Sequence, residues 1–212
     1  MKDFISHWTK WPSTRSFLVW VPLAFALNLW ATQWLNESYA SSQFPVPYYV
    51  AQLSFDAAKL KAWYGQLLAL GSLDLYVRTQ HIDFAFIAST LVLHFLVFAW
   101  IGRSFGAHSR IRRGWVVFAL VSAIAPIADA CENLVSYFML ADPTGFPDHL
   151  ALAYSTFASI KFFFFFVAYM AALGGVCVVI WSLLARRRMR ATPAGNSPLP
   201  RSFVQPLMSP RE

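Results

Sequence analysis

Charged residues are scarce in this chain of 212 residues, since only 13% of them are Asp, Glu, Lys or Arg. A soluble domain usually carries nearer a quarter. The charges also come in short groups between long apolar runs, which is typical of helical proteins that cross a membrane several times. The net charge of +7 is then better explained by membrane topology than by nucleic-acid binding, so no nucleic-acid partner is predicted.

Cysteine is nearly absent, because the chain has only Cys131 and Cys177, each inside an apolar run. Without a CxxC pair, neither a thiol redox motif nor a zinc knuckle is predicted, and a disulfide framework is not expected. The sequence also lacks HExxH, GxSxG, Walker and dinucleotide-binding motifs. These absences exclude the enzyme classes that such motifs mark, and they leave any cofactor unknown.

What the sequence does contain is apolar runs long enough to cross a bilayer, which takes about 20 residues. The predicted spans cover about 17–34, 81–102, 115–140 and 150–185. Tryptophans near their ends fit interfacial aromatic belts: Trp20, Trp30, Trp34, Trp100, Trp115 and Trp181. The predicted fold class is an all-α, polytopic four-helix transmembrane bundle forming a single domain over residues 1–190.

An additional amphipathic helix is predicted over about 55–70, between the first two spans. Its apolar face consists of Leu60, Trp63, Tyr64, Leu67 and Leu68, at helical spacing. Ser54 or Asp56 is predicted to cap its start and Gly71 to end it. This helix would lie at the outer membrane surface, where it either covers the bundle or gates a site.

Most Lys and Arg residues fall in the N-terminal segment, the connection after the second span and the C-terminal region. The positive-inside rule therefore predicts that both termini are cytoplasmic, and the basic residues would lie near anionic lipid headgroups. Residues 191–212 are rich in Pro and small polar residues, so they are predicted to form a disordered cytoplasmic tail. Gly174 and Gly175 would allow a close helix approach, such as that of a homodimer.

Polar residues form a stripe on the third span, at i, i+3, i+4, i+7 and i+8: Asp129, Glu132, Asn133, Ser136 and Tyr137. A charged residue at this depth costs about 2.5–3.5 kcal/mol, so it is expected to find a partner. By the helical rise, Lys161 in the fourth span and Asp129 both lie roughly 16 Å from the outer surface. The two are therefore predicted to pair. Pro126, one turn earlier, is predicted to kink the helix.

Asp83, near the start of the second span, and Arg78, just outside it, are candidates to join this cluster. Three acids against one or two bases leave negative charge for a proton, a cation or a cationic ligand to balance. Glu132 is predicted to be the acid left free. The structural alternative is that the polar residues simply hold the helices together.

A metal site and a haem site are the alternative interpretations of the polar residues in the spans. Asp83, Asp129 and Glu132 with a histidine have the composition of a metal site, and His81 and His94 are spaced for haem ligation on one helix. No fixed ligand spacing supports either, and His94 has no histidine partner on another span. No metal is therefore predicted.

The order of these residues resembles a known group of proteins. Gly71 ends an amphipathic segment, Tyr76 follows, Asp83 opens a span, and then come Asp-x-x-Glu-Asn over 129–133 and Lys161. The pattern, over about 55–165, resembles bacterial four-span membrane proteins of uncharacterised function. The resemblance implies an inner-membrane location and a single site formed by these residues, but it supplies no substrate or reaction.

Three classes of function remain open. The favoured class is a protein that binds a lipid, a small ligand or a partner subunit through the cluster. The second is an enzyme acting on a lipid or isoprenoid, with Glu132 or Asp129 as general acid or base and Lys161 or Arg78 holding an anionic headgroup. The third is a proton or ion carrier. It is weakest, because polar positions thin out towards the cytoplasm.

Overall fold

The computed structural model describes residues 15–106 and 109–191, and this part of the chain is helical, with no strand. The helices are α1 (Phe17–Ser41), α2 (Tyr48–Gln52), α3 (Ala57–Leu70), α4 (Leu73–Arg103), α5 (Arg110–Val121), α6 (Ile124–Ala141) and α7 (Asp148–Ala191). Within these two ranges, four helical segments are long and apolar enough to cross a membrane: α1, α4, α5 with α6, and α7 as far as Ser182. The predicted all-α polytopic bundle is confirmed. The predicted tail lies outside the described residues from 192 onward.

Two helices extend well beyond the predicted spans. The first helix continues to Ser41 instead of ending near residue 34, because no Gly or Pro occurs between residue 34 and Pro45. The helix α4 begins at Leu73, about two turns before residue 81, directly after the turn at Gly71. Hydropathy marks where a helix becomes apolar, whereas backbone hydrogen bonding decides where it begins and ends.

The third span is broken rather than gently bent. Helix α5 ends at Val121 and α6 begins at Ile124. Pro126 has no N–H to donate to the carbonyl of Ser122, four residues earlier, so the helical ladder is interrupted there. The imidazole of His94 lies against the freed carbonyl, with Nδ1 3.5 Å from the Ser122 oxygen. The effect of the proline therefore falls one turn before it.

The central helix of the bundle is α4, which packs against α1, α5, α6 and α7. Helix α6 runs along α7, as the short connection between them requires. Within the described residues, α1 and α7 make few or no contacts with each other. They flank α4 on either side of a cleft, which positions the site described below.

Helix α3 covers one end of the bundle. Its side chains Leu60, Tyr64 and Leu67 are fully buried against the start of α4, the end of α6 and the start of α7. Asp56 caps it, because Oδ1 accepts a hydrogen bond from the Lys59 N–H at 3.1 Å. Gly71 ends it with φ 67°. The predicted apolar face is thus mostly turned towards the protein, which supports the covering role.

Candidate functional site

Three helices bring five predicted residues into one buried ionic cluster: Asp83 of α4, Asp129, Glu132 and Asn133 of α6, and Lys161 of α7. The ammonium Nζ of Lys161 lies 2.7 Å from Asp129 Oδ1 and 2.5 Å from Glu132 Oε2. The amide of Asn133 donates to Asp83 Oδ2 at 2.7 Å. Each of the five is more than nine-tenths buried, so the charges are shielded from water and act strongly on one another.

The predicted pairing of Lys161 with Asp129 is present, but the prediction that Glu132 is left free is wrong. Positions 129 and 132 lie one turn apart on the same face of α6. A lysine ammonium between them therefore reaches both carboxylates. The acid that the lysine does not contact within 4 Å is Asp83, whose described hydrogen bond comes from Asn133 alone.

Tyrosine hydroxyl groups lie beside the cluster, at the end of the bundle that α3 covers. Tyr64 of α3 is fully buried, beside Ser136, Tyr76 and Glu132. Burial raises the pKa of Tyr64, and the nearby carboxylate of Glu132 raises it further. The phenol is therefore neutral at physiological pH, so it adds polarity to the cluster without adding charge.

A cavity of about 230 Å³ lies in the cleft between α1, α4 and α7, with α2 at one end. Its lining residues are Thr32, Leu35, Asn36 and Tyr39 of α1, Tyr48 and Gln52 of α2, Tyr76, Thr79, Gln80, Asp83 and Phe86 of α4, Asp129 of α6, and Lys161, Phe162, Phe165 and Tyr169 of α7. The cavity thus has aromatic walls, a few uncharged polar groups and one ionic wall.

The predicted residues differ in their relation to this cavity. Tyr76 joins the three charged side chains in its lining, whereas Glu132 and Asn133 lie outside the lining. Arg78 is exposed on the surface of α4 and does not line the cavity. Its position follows from helical geometry, because Asp83 is five positions further along α4, which places the two side chains on different faces.

Sequence reasoning missed two buried amides in the lining, Gln52 and Gln80. The side-chain carbonyl oxygens of both are buried and accept no hydrogen bond from the described residues. Gln80 lies three residues before Asp83, so the helical period could have identified it. Gln52 is brought to the cavity by the short helix α2, and no local pattern marks it.

A second polar contact joins α1 to α4, about two helical turns after Asp83 along α4. The amide Nδ2 of Asn28 donates to Ser89 Oγ at 3.0 Å and to Thr90 Oγ1 at 2.8 Å. These groups are uncharged and bond to each other across the helix interface, as polar residues do when they join transmembrane helices. Asn28 was not predicted, although an amide in the middle of an apolar run is a readable signal.

Metal binding has no support from the described residues, which contain no group of three or more His, Cys, Asp or Glu placed to hold a metal ion. His94, the buried histidine of α4, lies instead against the rings of Phe98, Phe165 and Tyr169. No family model, curated protein or solved structure matches the chain.

Proposed function

We propose that this integral membrane protein binds a lipid or another membrane-soluble small molecule, and that the cavity between α1, α4 and α7 is the binding site. The observation that carries the proposal is that Asp83, Asp129 and Lys161 form one wall of this cavity. Charged residues that only join helices can be enclosed completely by their partners. Here they adjoin a space lined otherwise by aromatic rings and a few uncharged polar groups, which is the composition of a ligand site.

The position of the cavity supports entry from the bilayer. Helices α1 and α7 leave a cleft between them, and both present large apolar side chains on their outer surfaces, such as Leu27 and Phe166. In a bilayer these surfaces contact acyl chains. A ligand with an apolar tail can therefore reach the ionic wall sideways while its tail stays among lipids.

Catalysis and ion transport have less support from the geometry. An enzyme acting on an anionic lipid would need a free cation, but Lys161 is engaged by two carboxylates and Arg78 lies outside the cavity. The predicted general acid or base Glu132 does not line it. A carrier would need a polar path through the bundle, whereas the groups around Asn28 bond to each other.

We further propose a bacterial inner-membrane location with both termini cytoplasmic. The four candidate spans of the described residues place the two ends of the bundle on the same side, and the basic start of α5 (Arg110, Arg112 and Arg113) lies on that side too. The resemblance to bacterial four-span proteins agrees. A reporter fused after Glu212 should report a cytoplasmic location. One inserted in the 142–147 connection should report a location outside the cytoplasm. The reverse result would contradict this topology.

Native mass spectrometry of the protein released from native-lipid nanodiscs tests ligand binding. We expect added mass on the wild type and a clear loss of it in Thr32→Phe, because a phenyl ring at this lining position takes up space inside the cavity. The matched control is Gln33→Phe, which places the same ring on the exposed neighbouring position of α1. Equal added mass in all three proteins, or none in the wild type, would contradict the proposal.

A further inference from the structure

We propose that the ligand of this cavity presents a protonated primary amine to Asp83 and carries it on an apolar body. The inference rests on the proposed function, since it assigns the chemical class of the ligand in the same cavity. It follows from the charge balance of the ionic wall, from two unpartnered acceptors beside it and from the aromatic residues opposite.

The charge balance is the first argument. The cluster contains three acids and one base, and among the acids of the described residues Lys161 pairs with Asp129 and Glu132 alone. Asp83 lines the cavity and is held by a neutral amide, that of Asn133. A carboxylate at membrane depth is stabilised by an opposite charge within contact distance. A cationic group in the cavity would supply the charge that the described residues do not.

Unpartnered acceptors are the second argument. The side-chain carbonyl oxygens of Gln52 and Gln80 accept no hydrogen bond from the described part of the chain, although both residues are about nine-tenths buried and line the cavity. Leaving a buried acceptor without a donor is costly. A primary ammonium has three N–H donors, as a lysine ammonium does, whereas a quaternary ammonium has none. The acceptors therefore favour the primary amine.

The aromatic lining is the third argument. Rings from four helices line the cavity, including Tyr39, Tyr48, Phe86 and Phe165. Aromatic faces attract cations, and more strongly where water is excluded. An anionic headgroup would instead meet Asp83 and Asp129, and it would have to displace a carboxylate to reach Lys161. The lining therefore selects for positive charge.

The size of the cavity limits what enters it. At about 230 Å³ it lies below the roughly 300–1,000 Å³ of pockets that enclose a whole drug-sized ligand. The charged head of an amphiphile fits, with its tail in the cleft between α1 and α7. Two sources share this chemistry: the aminoethyl headgroup of a phosphatidylethanolamine and a free long-chain amine.

The test is a lipid titration of delipidated, full-length protein, with binding read by native mass spectrometry. The probes are dioleoyl phosphatidylethanolamine, the matching phosphatidylcholine and phosphatidylglycerol, and dodecylamine. We expect the primary-amine probes to bind about tenfold more tightly than the choline lipid, because only they supply N–H donors. Phosphatidylethanolamine alone would assign the lipid headgroup as the source, and dodecylamine alone would assign a free amine.

Variants connect the preference to the site. Asp83→Asn should abolish the preference for the amine, whereas Asp74→Asn, an exposed acid on the same helix, should retain it. If Asp83→Asn does not fold, Gln80→Leu carries the test, because it removes an acceptor and keeps the charge; it should weaken the preference. Choline or glycerol lipids that bind as tightly as the amine probes, or a preference unchanged in the folded variants, would overturn the inference while the binding function stands. If no probe binds, the proposed function fails as well.

Discussion

At the scale of single residues, the protein shares one buried ammonium between two carboxylates. Lys161 contacts Asp129 and Glu132, and all three side chains are almost fully excluded from solvent. Taking such charges out of water is costly, and their mutual attraction offsets that cost only while both signs are present. The three residues therefore contribute unequally to stability. Lys161 is the single base of the trio, whereas either carboxylate can still pair with it when the other is replaced.

Replacing the lysine should be more harmful than replacing either acid. We expect Lys161→Met to lower the free energy of unfolding by about 3–5 kcal/mol, since it leaves buried acids without a counter-charge. Asp129→Asn and Glu132→Gln should each cost less, because the remaining acid still neutralises the lysine. Thermal denaturation in detergent, followed by circular dichroism, measures the order.

The matched control for this prediction is Lys61→Met. Lys61 forms a surface ion pair with Asp148, with Nζ 2.6 Å from Oδ1, and such pairs contribute only about 0–1 kcal/mol. Its midpoint should stay near that of the wild type. If Glu132→Gln proved as damaging as Lys161→Met, the shared-lysine arrangement would be wrong.

The membership of the ionic cluster could be predicted from sequence more readily than its internal pairing. Spacing on α6 and a shared depth in the bilayer are enough to bring Asp129 and Lys161 together. Which acid the lysine leaves uncontacted depends on side-chain positions within a few ångströms, and these are set by packing. The contribution of Gln52 depends on how α2 folds back over the cleft, which no periodic pattern encodes.

At the scale of helices, Gly175 allows α7 to approach α4 and α5 closely. A Cβ atom added at Gly175 would lie 2.8 Å from Ile101 Cδ1 and 2.9 Å from Trp115 Cη2, whereas one at Gly174 would meet nothing within 4 Å. The glycine pair was predicted to permit close helix approach. In the structure the approach at Gly175 is made within the chain.

The two glycines provide a prediction with its own control. Gly175→Ala should lower the free energy of unfolding by about 1–3 kcal/mol, because the methyl group overpacks the contact with Ile101 and Trp115. Gly174→Ala should be neutral or stabilising, since it adds helix propensity at an exposed position. Thermal midpoints of the two variants, measured side by side in one detergent, decide the matter. Equal effects would contradict the packing at Gly175.

The helix break between α5 and α6 shows how far a sequence pattern can locate an element boundary. Pro126 predicts a disturbance of the third span, but the disturbance occurs at residues 122–123, where the missing N–H removes a hydrogen bond. The break also frees a carbonyl for His94. Pro126 therefore correctly indicated that the third span is disturbed. The place of the break follows only from which backbone hydrogen bond the proline removes.

At the scale of the whole molecule, helix order around α4 creates the cavity. The number of spans and the covering helix α3 follow from hydropathy and amphipathic spacing, and both were predictable. The cleft between α1 and α7 was not, because apolar spans carry little information about which of their neighbours they contact. The proposed binding site therefore results from the arrangement of the helices, and only its ionic wall could be predicted from the sequence.

Electron cryo-microscopy of the protein in native-lipid nanodiscs tests the central claim most directly. The account predicts non-protein density in the cleft between α1 and α7, with one end in contact with Asp83 and the other continuous with the surrounding lipid. A cleft closed by direct packing of α1 against α7, with Asp83 enclosed by protein side chains alone, would contradict it.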